Sequence, residues 1–169
     1  MSAPAVTTVI ITDTNVLINF LHIDQLALLG ELSTYRVQLP TEVLQELTDP
    51  GQREAVDNAI AAGQLDLLVI DALDALALFG DLRDLMGRGE AACLALAATV
   101  GCHLASDEKK RFRRKAVELI GEARIPGTED LLLEAIHYGH ITVSQADRYK
   151  VVLAENRYIM AFASFAERL

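Results

Sequence analysis

The chain has 169 residues, of which 51% are hydrophobic, and a formal net charge of -9. This length predicts one domain spanning residues 1–169, and no apolar run reaches the roughly 18 residues of a membrane span. The acidic excess argues against a protein that coats nucleic acid through overall positive charge. Because the N-terminus has no basic segment before its apolar run, we expect no secretory signal and a cytoplasmic location.

The first half of the chain predicts alternating strands and helices. The stretch "TTVIITD" is apolar on both faces, as in a strand of a parallel sheet that helices cover on both sides. Thr41 is placed to cap the first predicted helix after the second strand, and Gly63 to end the next one. In chain order, the further elements here are the strand "RVQLP", the helices "TEVLQELTD" and "QREAVDNAIAAG", and the strand "LDLLVI".

The second half continues the alternation. Glycines bracket a helix rich in Ala and Leu, and Gly139 is placed to close the helix that precedes the C-terminal segment. The alternation predicts an α/β domain with a parallel sheet and helices on both faces, which binds ligands beyond the carboxyl ends of its strands. In chain order, these elements are the helix "GEAACLALAATVG", the strand "CHLAS", the helices "DEKKRFRRKAVELIG" and "TEDLLLEAIHYG", and a helical C-terminal segment in two pieces or one bent piece.

The C-terminal segment carries an apolar stripe at helical spacing. The stripe could pack on the core of the same domain, or it could form a surface for a second copy or an inhibitory protein. Its members are Tyr158, Ile159, Phe162, Phe165, Ala166 and Leu169.

Two cysteines, Cys93 and Cys102, do not have the spacing of a metal site. We expect two small buried thiols in a reducing compartment, although the sequence alone leaves a disulfide between them open.

Four carboxylates lie in or beside apolar segments. Asp13 ends the first strand, Asp107 follows the strand "CHLAS", Glu90 opens a helix and Glu46 lies within another. Each has a structural explanation, as a helix cap, a helix-dipole partner or a solvated position. If all four meet at one edge of the sheet, their repulsion requires a compensating cation. Since no His or Cys joins the set, Mg²⁺ or Mn²⁺ is expected rather than zinc.

Several stretches occur in the order seen in a known nuclease family. The chain resembles the PIN-domain ribonucleases, near the VapC-type toxin branch, over roughly Val6 to Ile141. The combination of Gly-x-Gly-Glu opening an Ala/Leu helix and Ser-Asp-Glu after an apolar strand carries most of the resemblance. The matching stretches are "TDTNVLINF", "LPTEVLQEL", "GRGEAACLALA", "LASDEKKRFRRKA" and "IPGTEDLLLEAIHYGHI".

The resemblance implies a three-layer α/β/α core over about residues 6–141, a helical C-terminal extension over 142–169, and metal-dependent hydrolysis of RNA. It also implies products with a 5′-phosphate and a 3′-hydroxyl, a homodimer, and silencing by an antitoxin protein. By position, the metal-binding and catalytic acids fall on Asp13, Glu46, Glu90 and Asp107, with Asn15 steadying the site and Glu108 as an extra ligand where many relatives have a second Asp.

Glu42 and Glu46 lie four residues apart on one face of a short helix, so either could reach the site. Glu42 has a sufficient structural role in the first turn, where a negative charge is favourable. Glu46 has none, and the resemblance places the family's acid at the pair Glu46-Leu47. We therefore predict that Glu46 is the functional residue.

A basic run follows Asp107 directly. It predicts a track for the phosphates of RNA, with Phe112 either stacking on a base or pointing inward; we favour the inward position. The run comprises Lys109, Lys110, Arg111, Arg113, Arg114 and Lys115.

Two rival functions remain at this point. One is a non-catalytic PIN-like scaffold that binds RNA or protein, although such a scaffold has no need of four repelling carboxylates. The other is a metal-dependent phosphatase, which would want a second Asp two residues after its nucleophile, where this chain has Asn15.

Overall fold

The computed structural model describes residues 8–32 and 34–169, the first three of them by backbone alone. The predictions for residues 1–7, and those for the side chains of Val9 and Ile10, lie outside the described part. The strands are β1 Thr8–Thr12, β2 Tyr35–Pro40, β3 Asp66–Leu68 and β4 His103–Ala105. The helices are α1 Thr14–His22, α2 Leu26–Glu31, α3 Thr41–Glu46, α4 Pro50–Ala61, α5 Leu73–Arg83, α6 Arg88–Val100, α7 Lys110–Ile120, α8 Thr128–His137 and α9 Val143–Glu155, with short 3-10 turns at Glu122–Arg124 and Phe165–Arg168.

The four strands form one parallel sheet in the order β3-β2-β1-β4. Helix α6 packs against β1, β2 and β4, and α1 packs against α8 and α9. The strands and the helices that flank them give the predicted three-layer α/β/α architecture. All four carboxyl ends therefore face one edge of the sheet.

The central strand β1 is covered on both faces. Its consecutive residues Ile11 and Thr12 point to opposite faces, and both are fully buried. This confirms the prediction of a two-sided buried strand for the part whose side chains are described. A polar side chain that follows such a strand is placed where the core meets the sheet edge.

Helix ends follow the predicted glycine signals. Gly63 and Gly139 adopt left-handed φ values of 74° and 76°, and each follows the C-cap residue of the helix it was expected to end. The predicted cap Thr41 is instead the first residue of α3, whose N-cap is Pro40 without a side-chain hydrogen bond. Helix α5 was not predicted from the sequence.

The C-terminal stripe is not a helix. Helix α9 ends at Glu155, and Arg157 adopts a left-handed φ of 70°. The amide of Tyr158 then bonds to the Leu153 carbonyl at 2.8 Å and that of Arg157 to the Ala154 carbonyl at 3.1 Å, a Schellman closure. Beyond it, Met160 and Phe165 are buried whereas Ile159 and Leu169 are exposed. The extension thus packs on the domain through some of its apolar side chains, such as Met160 and Phe165, and these do not belong to one face of a helix.

Three smaller expectations were also tested. Cys93 and Cys102 are both buried and free, and Phe112 points inward, being buried. None of the helices in the described residues is both long and apolar enough to cross a membrane.

Candidate active site

Asp13 lies where β1 meets α1. Its amide donates to the carbonyl of Ala105, at the end of β4, with an N···O distance of 3.1 Å. Its Oδ1 accepts the amide of Val16 at 2.9 Å and so caps α1. The residue is only 2% exposed, and its other oxygen, Oδ2, is buried with no hydrogen-bond partner among the described residues. Capping therefore accounts for one of the two oxygens and leaves the other unexplained.

Burial raises the pKa of the Asp13 carboxyl from 3.8 to about 7. The Ser106 hydroxyl and the Val16 amide partly offset that rise, while Asp107 and Glu108 add to it by repulsion. The Ser106 hydroxyl favours the charged form of the Asp13 carboxyl and so lowers its pKa. It is not a hydrogen-bond partner of Oδ2. The site therefore resists holding a negative charge on Asp13 unless a cation is present.

Glu46 ends α3 and joins two other helices. Its Oε2 accepts the Thr14 hydroxyl at 2.5 Å, and its Oε1 accepts the amide of Gly89 at 2.7 Å. A Cβ on Gly89 would lie 2.5 Å from Glu46 Oε1, so any side chain there would displace the carboxylate. Glu46 is exposed, as its structural explanation from the sequence allows, but both of its carboxylate oxygens are hydrogen-bonded.

Glu90 lies in the first turn of α6. Its Oε2 accepts the amide of Gly87 at 3.1 Å, as in a capping box. Burial raises its pKa, the Gly87 bond lowers it, and repulsion from Glu108 and Glu46 raises it again. Glu90 therefore has the structural role expected at the start of a helix, and it also lies near Glu46 and Glu108.

Glu108 turns into the same cavity as these three acids. Its amide donates to Ser106 Oγ at 3.1 Å, and its Oε1 accepts the side-chain amide of Asn15. Asn15 thus donates a hydrogen bond to one of these carboxylates, and its role in steadying the site stays a prediction. The residues that line this cavity of about 240 Å³, which we call the carboxylate cavity, are Asp13, Thr14, Asn15, Glu46, Gly87, Glu90 and Glu108.

Asp107 is not among them. Its Oδ1 accepts the Thr128 amide at 2.8 Å and the Tyr158 hydroxyl at 2.9 Å. Its Oδ2 accepts the Asn19 amide at 3.0 Å and the Thr128 hydroxyl. Burial, followed by the charge of Asp107, raises the pKa of Tyr158. Asp107 is thus held by donors from α1, α8 and the C-terminal segment, and its assignment as a metal ligand stays a prediction.

The distinction between Asp107 and Glu108 was not visible in the sequence. The two are adjacent, and both follow β4. The side chains that hold Asp107 come from positions 19, 128 and 158, so only the fold brings them together. Glu108, predicted as an extra ligand, lines the carboxylate cavity, whereas Asp107 does not.

The donor set of the carboxylate cavity suits a divalent cation. Within residues 8–32 and 34–169, none of its four acids forms an ion pair with Lys or Arg. In the same residues, no three Asp, Glu, His or Cys side chains converge closely enough to coordinate one ion as they stand. Glu46 and Glu90 would have to turn away from the amides of Gly89 and Gly87. The charge and the oxygen donors fit Mg²⁺ or Mn²⁺, and the orphaned Asp13 Oδ2 is a donor without another role.

The basic run lies on and before α7, and its members differ in their partners. Arg113 pairs with Glu122, just beyond the end of the helix. The other members line a second cavity of about 410 Å³, which also includes Glu90 and Glu108 of the carboxylate cavity. These members are Lys109, Lys110, Arg111, Arg114 and Lys115.

Comparison with known protein families identifies the family that shares this arrangement. A family model described as a PIN domain matches residues 9–158, which include all four strands except the first residue of β1 and every carboxylate discussed above. Among curated protein sequences, none matches the chain significantly. The predicted family is confirmed, whereas its VapC-type branch stays a prediction. With a match over most of its length and the sheet and flanking helices described above, the chain belongs to the PIN-domain family and has a nuclease-type fold.

Proposed function

We propose that the chain is a ribonuclease that hydrolyses RNA phosphodiester bonds with Mg²⁺ or Mn²⁺. The buried, unpartnered Oδ2 of Asp13 carries this proposal, because Asp13 lines the same cavity as three other carboxylates. Such a concentration of negative charge, with no ion pair to Lys or Arg in the described residues, is costly unless a cation neutralises it.

Asp13, Glu46, Glu90 and Glu108 would hold the cation. When bound, such an ion lowers the pKa of water and neutralises charge that develops on phosphate oxygens. The carboxylates orient the attacking water, and one of them accepts its proton. Asn15 fixes Glu108 by a hydrogen bond to its carboxylate. Asp107 holds the loop before α7 in place through Thr128 and Tyr158, and so positions Glu108 rather than acting on the substrate.

Two adjacent substitutions test the proposal. Glu108→Gln and Asp107→Asn each remove one negative charge with little change in size. We expect Glu108→Gln to lower Mn²⁺-dependent cleavage of RNA at least about a hundredfold while the thermal stability without metal is unchanged or higher. Asp107→Asn should keep much of the activity but lower the stability, because the Thr128 and Tyr158 bonds are weakened.

The opposite pattern would contradict this assignment. If Asp107→Asn is inactive at full stability and Glu108→Gln is active, the ligand is Asp107, as the family resemblance implied. If neither the unmodified protein nor any variant cleaves RNA with either metal, the proposed activity is wrong.

A non-catalytic PIN-like scaffold that binds RNA or protein is the alternative. One observation favours it: Glu46 and Glu90 are engaged by backbone amides, and no three acids in the described residues form a closed metal site. Calorimetric titration with Mn²⁺ at pH 8 separates the two functions. Binding that is lost in Asp13→Asn supports the nuclease, and the absence of binding supports the scaffold.

The toxin role, an antitoxin partner and a homodimer rest on the resemblance to the VapC-type branch. Val69, Leu73 and Leu76 are exposed near the edge strand β3 and supply apolar surface for a partner. Expression of the chain in a bacterial host should arrest growth, and Glu108→Gln should relieve the arrest. Light scattering after gel filtration measures whether the chain is a dimer.

A further inference from the structure

A groove of about 410 Å³ opens beside the carboxylate cavity, between α7 and the residues that join α5 to α6. The groove and the cavity share Glu90 and Glu108. A phosphodiester that reaches the carboxylates therefore places a neighbouring nucleotide at the groove. This inference rests on the proposed function and specifies its substrate.

One wall of the groove is apolar. Leu85 is 44% exposed, Met86 is half-buried, and the buried ring of Phe112 lies below them. Exposed apolar side chains beside a cluster of basic residues are unusual for a surface that only tracks phosphates. They provide a flat contact for the face of a base, which is itself apolar.

The opposite wall carries the basic residues of the groove, together with Glu118. In the described part of the chain, Lys110, Arg111 and Arg114 form no ion pair, whereas Arg113 and Lys115 are paired with Glu122 and Glu118. Lys110 also has a left-handed φ of 60°, a conformation that costs energy for a residue with a side chain. Such strained positions cluster at functional sites. The unpaired cations face the groove and suit a phosphate group.

We propose that this groove binds one nucleotide of single-stranded RNA next to the scissile phosphate, with its base against Leu85 and Met86 and a phosphate on Arg114 and its basic neighbours. An apolar wall and a cationic wall on one groove match the two halves of a nucleotide.

The methionine methyl groups provide a direct test. The chain has three Met residues, Met1, Met86 and Met160, and Met86 lines the groove while Met160 is buried elsewhere. The full chain, labelled with ¹³C at the Met methyl groups, is titrated without divalent metal with AMP, UMP, ribose 5-phosphate or inorganic phosphate. AMP and UMP should shift the Met86 signal through the ring current of the base. Ribose 5-phosphate should shift it much less, and Met160 should not move.

Matched variants locate the two halves of the nucleotide. Leu85→Ala should weaken AMP binding about fivefold or more and leave the binding of ribose 5-phosphate unchanged. Leu76→Ala is the control, since Leu76 is 43% exposed and Leu85 44%, and Leu76 does not line the groove. Arg114→Gln should weaken both ligands, whereas Arg148→Gln, on α9, should weaken neither.

Three results would overturn the proposal: no shift of Met86 with any nucleotide, an equal shift with inorganic phosphate, or equal effects of Leu85→Ala and Leu76→Ala. A shift with short poly-glutamate but not with AMP would also overturn it and assign the groove to an acidic peptide. The titration does not depend on cleavage. A protein that cleaves RNA without a Met86 response refutes the groove alone, and a Met86 response without metal-dependent cleavage refutes the proposed activity alone.

Discussion

Asp13 serves the fold with one oxygen and the proposed site with the other. Oδ1 caps α1, which fixes the side chain at the end of β1. Oδ2 is buried without a partner in the described residues, and a cap alone would have left it in water. The fold therefore holds the carboxylate through Oδ1, and Oδ2 is the oxygen that the proposed function assigns to a cation.

The raised pKa of Asp13 makes the stability of the metal-free protein depend on pH. Its folded-state pKa is about 7 against an ordinary 3.8. Between these values the folded chain keeps a proton that the unfolded chain releases, so the free energy of unfolding falls as pH rises and levels off above about 7. At pH 8 the penalty is on the order of a few kcal/mol.

Asp13→Asn should remove this dependence, because Asn is uncharged and still caps α1. In urea unfolding with EDTA, the variant should match the unmodified protein near pH 4.5 and exceed its stability at pH 8. Adding Mn²⁺ at pH 8 should stabilise the unmodified protein only. A difference between the two proteins that is the same at both pH values would refute the raised pKa.

Glu42 and Glu46 allow a structural acid to be compared with one that is proposed to be functional. Glu42 is buried in the first turn of α3, whereas Glu46 lines the carboxylate cavity. Glu46→Gln should lower RNA cleavage at least about a hundredfold, and Glu42→Gln should keep most of it. Circular dichroism should show both variants folded. Loss of activity in Glu42→Gln with retention in Glu46→Gln would mean that the acid facing the substrate is one turn earlier.

At the scale of elements, the cations of helix α7 differ in whether a carboxylate already pairs with them. Arg114 faces the groove and Arg113 pairs with Glu122. The sequence predicted a phosphate track for the whole run, because six cations in seven positions say nothing about where the helix faces. The buried Phe112 fixes that orientation.

The salt dependence of RNA binding should distinguish the two arginines. Arg114→Gln removes a phosphate contact and should flatten the slope of log affinity against log salt by about 0.7–1. Arg113→Gln is the matched control and should leave the slope unchanged. Fluorescence anisotropy with a short labelled RNA in EDTA measures both. An equal loss of slope in the two variants would show that RNA contacts both sides of α7.

The elements that sequence predicted and those that it did not differ in their physical signals. Strand β1 has a continuous apolar run. Helices α4, α6 and α8 have apolar residues at helical spacing and a glycine beyond the end of each helix. All four elements lie as predicted. Helix α5 has exposed Leu73 and Leu76 among acidic residues, so its pattern lacked one apolar face. After α9, the apolar residues continue at helical spacing although the helix has ended. The end is not visible in the sequence, because Arg157 occupies the left-handed position where Gly is usual.

At the scale of the whole molecule, the C-terminal segment is bonded to the core through Tyr158 and closed on itself through Asp147. The Tyr158 hydroxyl bonds to Asp107 at 2.9 Å, beside the candidate site. Further on, Asp147 of α9 accepts the Ser164 hydroxyl at 2.7 Å and the Phe165 amide at 2.9 Å. We therefore propose, as the sequence predicted, that residues 1–169 are one domain, with 142–169 as an extension that folds together with the core.

Phe165 tests this single-domain proposal, because it is fully buried, at 0% exposed, and stacks edge-on against Phe162 with ring centroids 4.9 Å apart. Phe165→Ala should cost about 3–5 kcal/mol of unfolding free energy. Leu169→Ala, at a position that is 70% exposed, should change it by less than about 0.5 kcal/mol. Because Tyr158 of the extension contacts Asp107, the extension and the core should unfold together. Phe165→Ala should then lower the midpoint of one cooperative thermal transition, with the same midpoint by far-UV circular dichroism and by a spectroscopic probe at Tyr158. A separate early transition, with the main one unmoved, would show that the extension unfolds independently and that the candidate site does not depend on it.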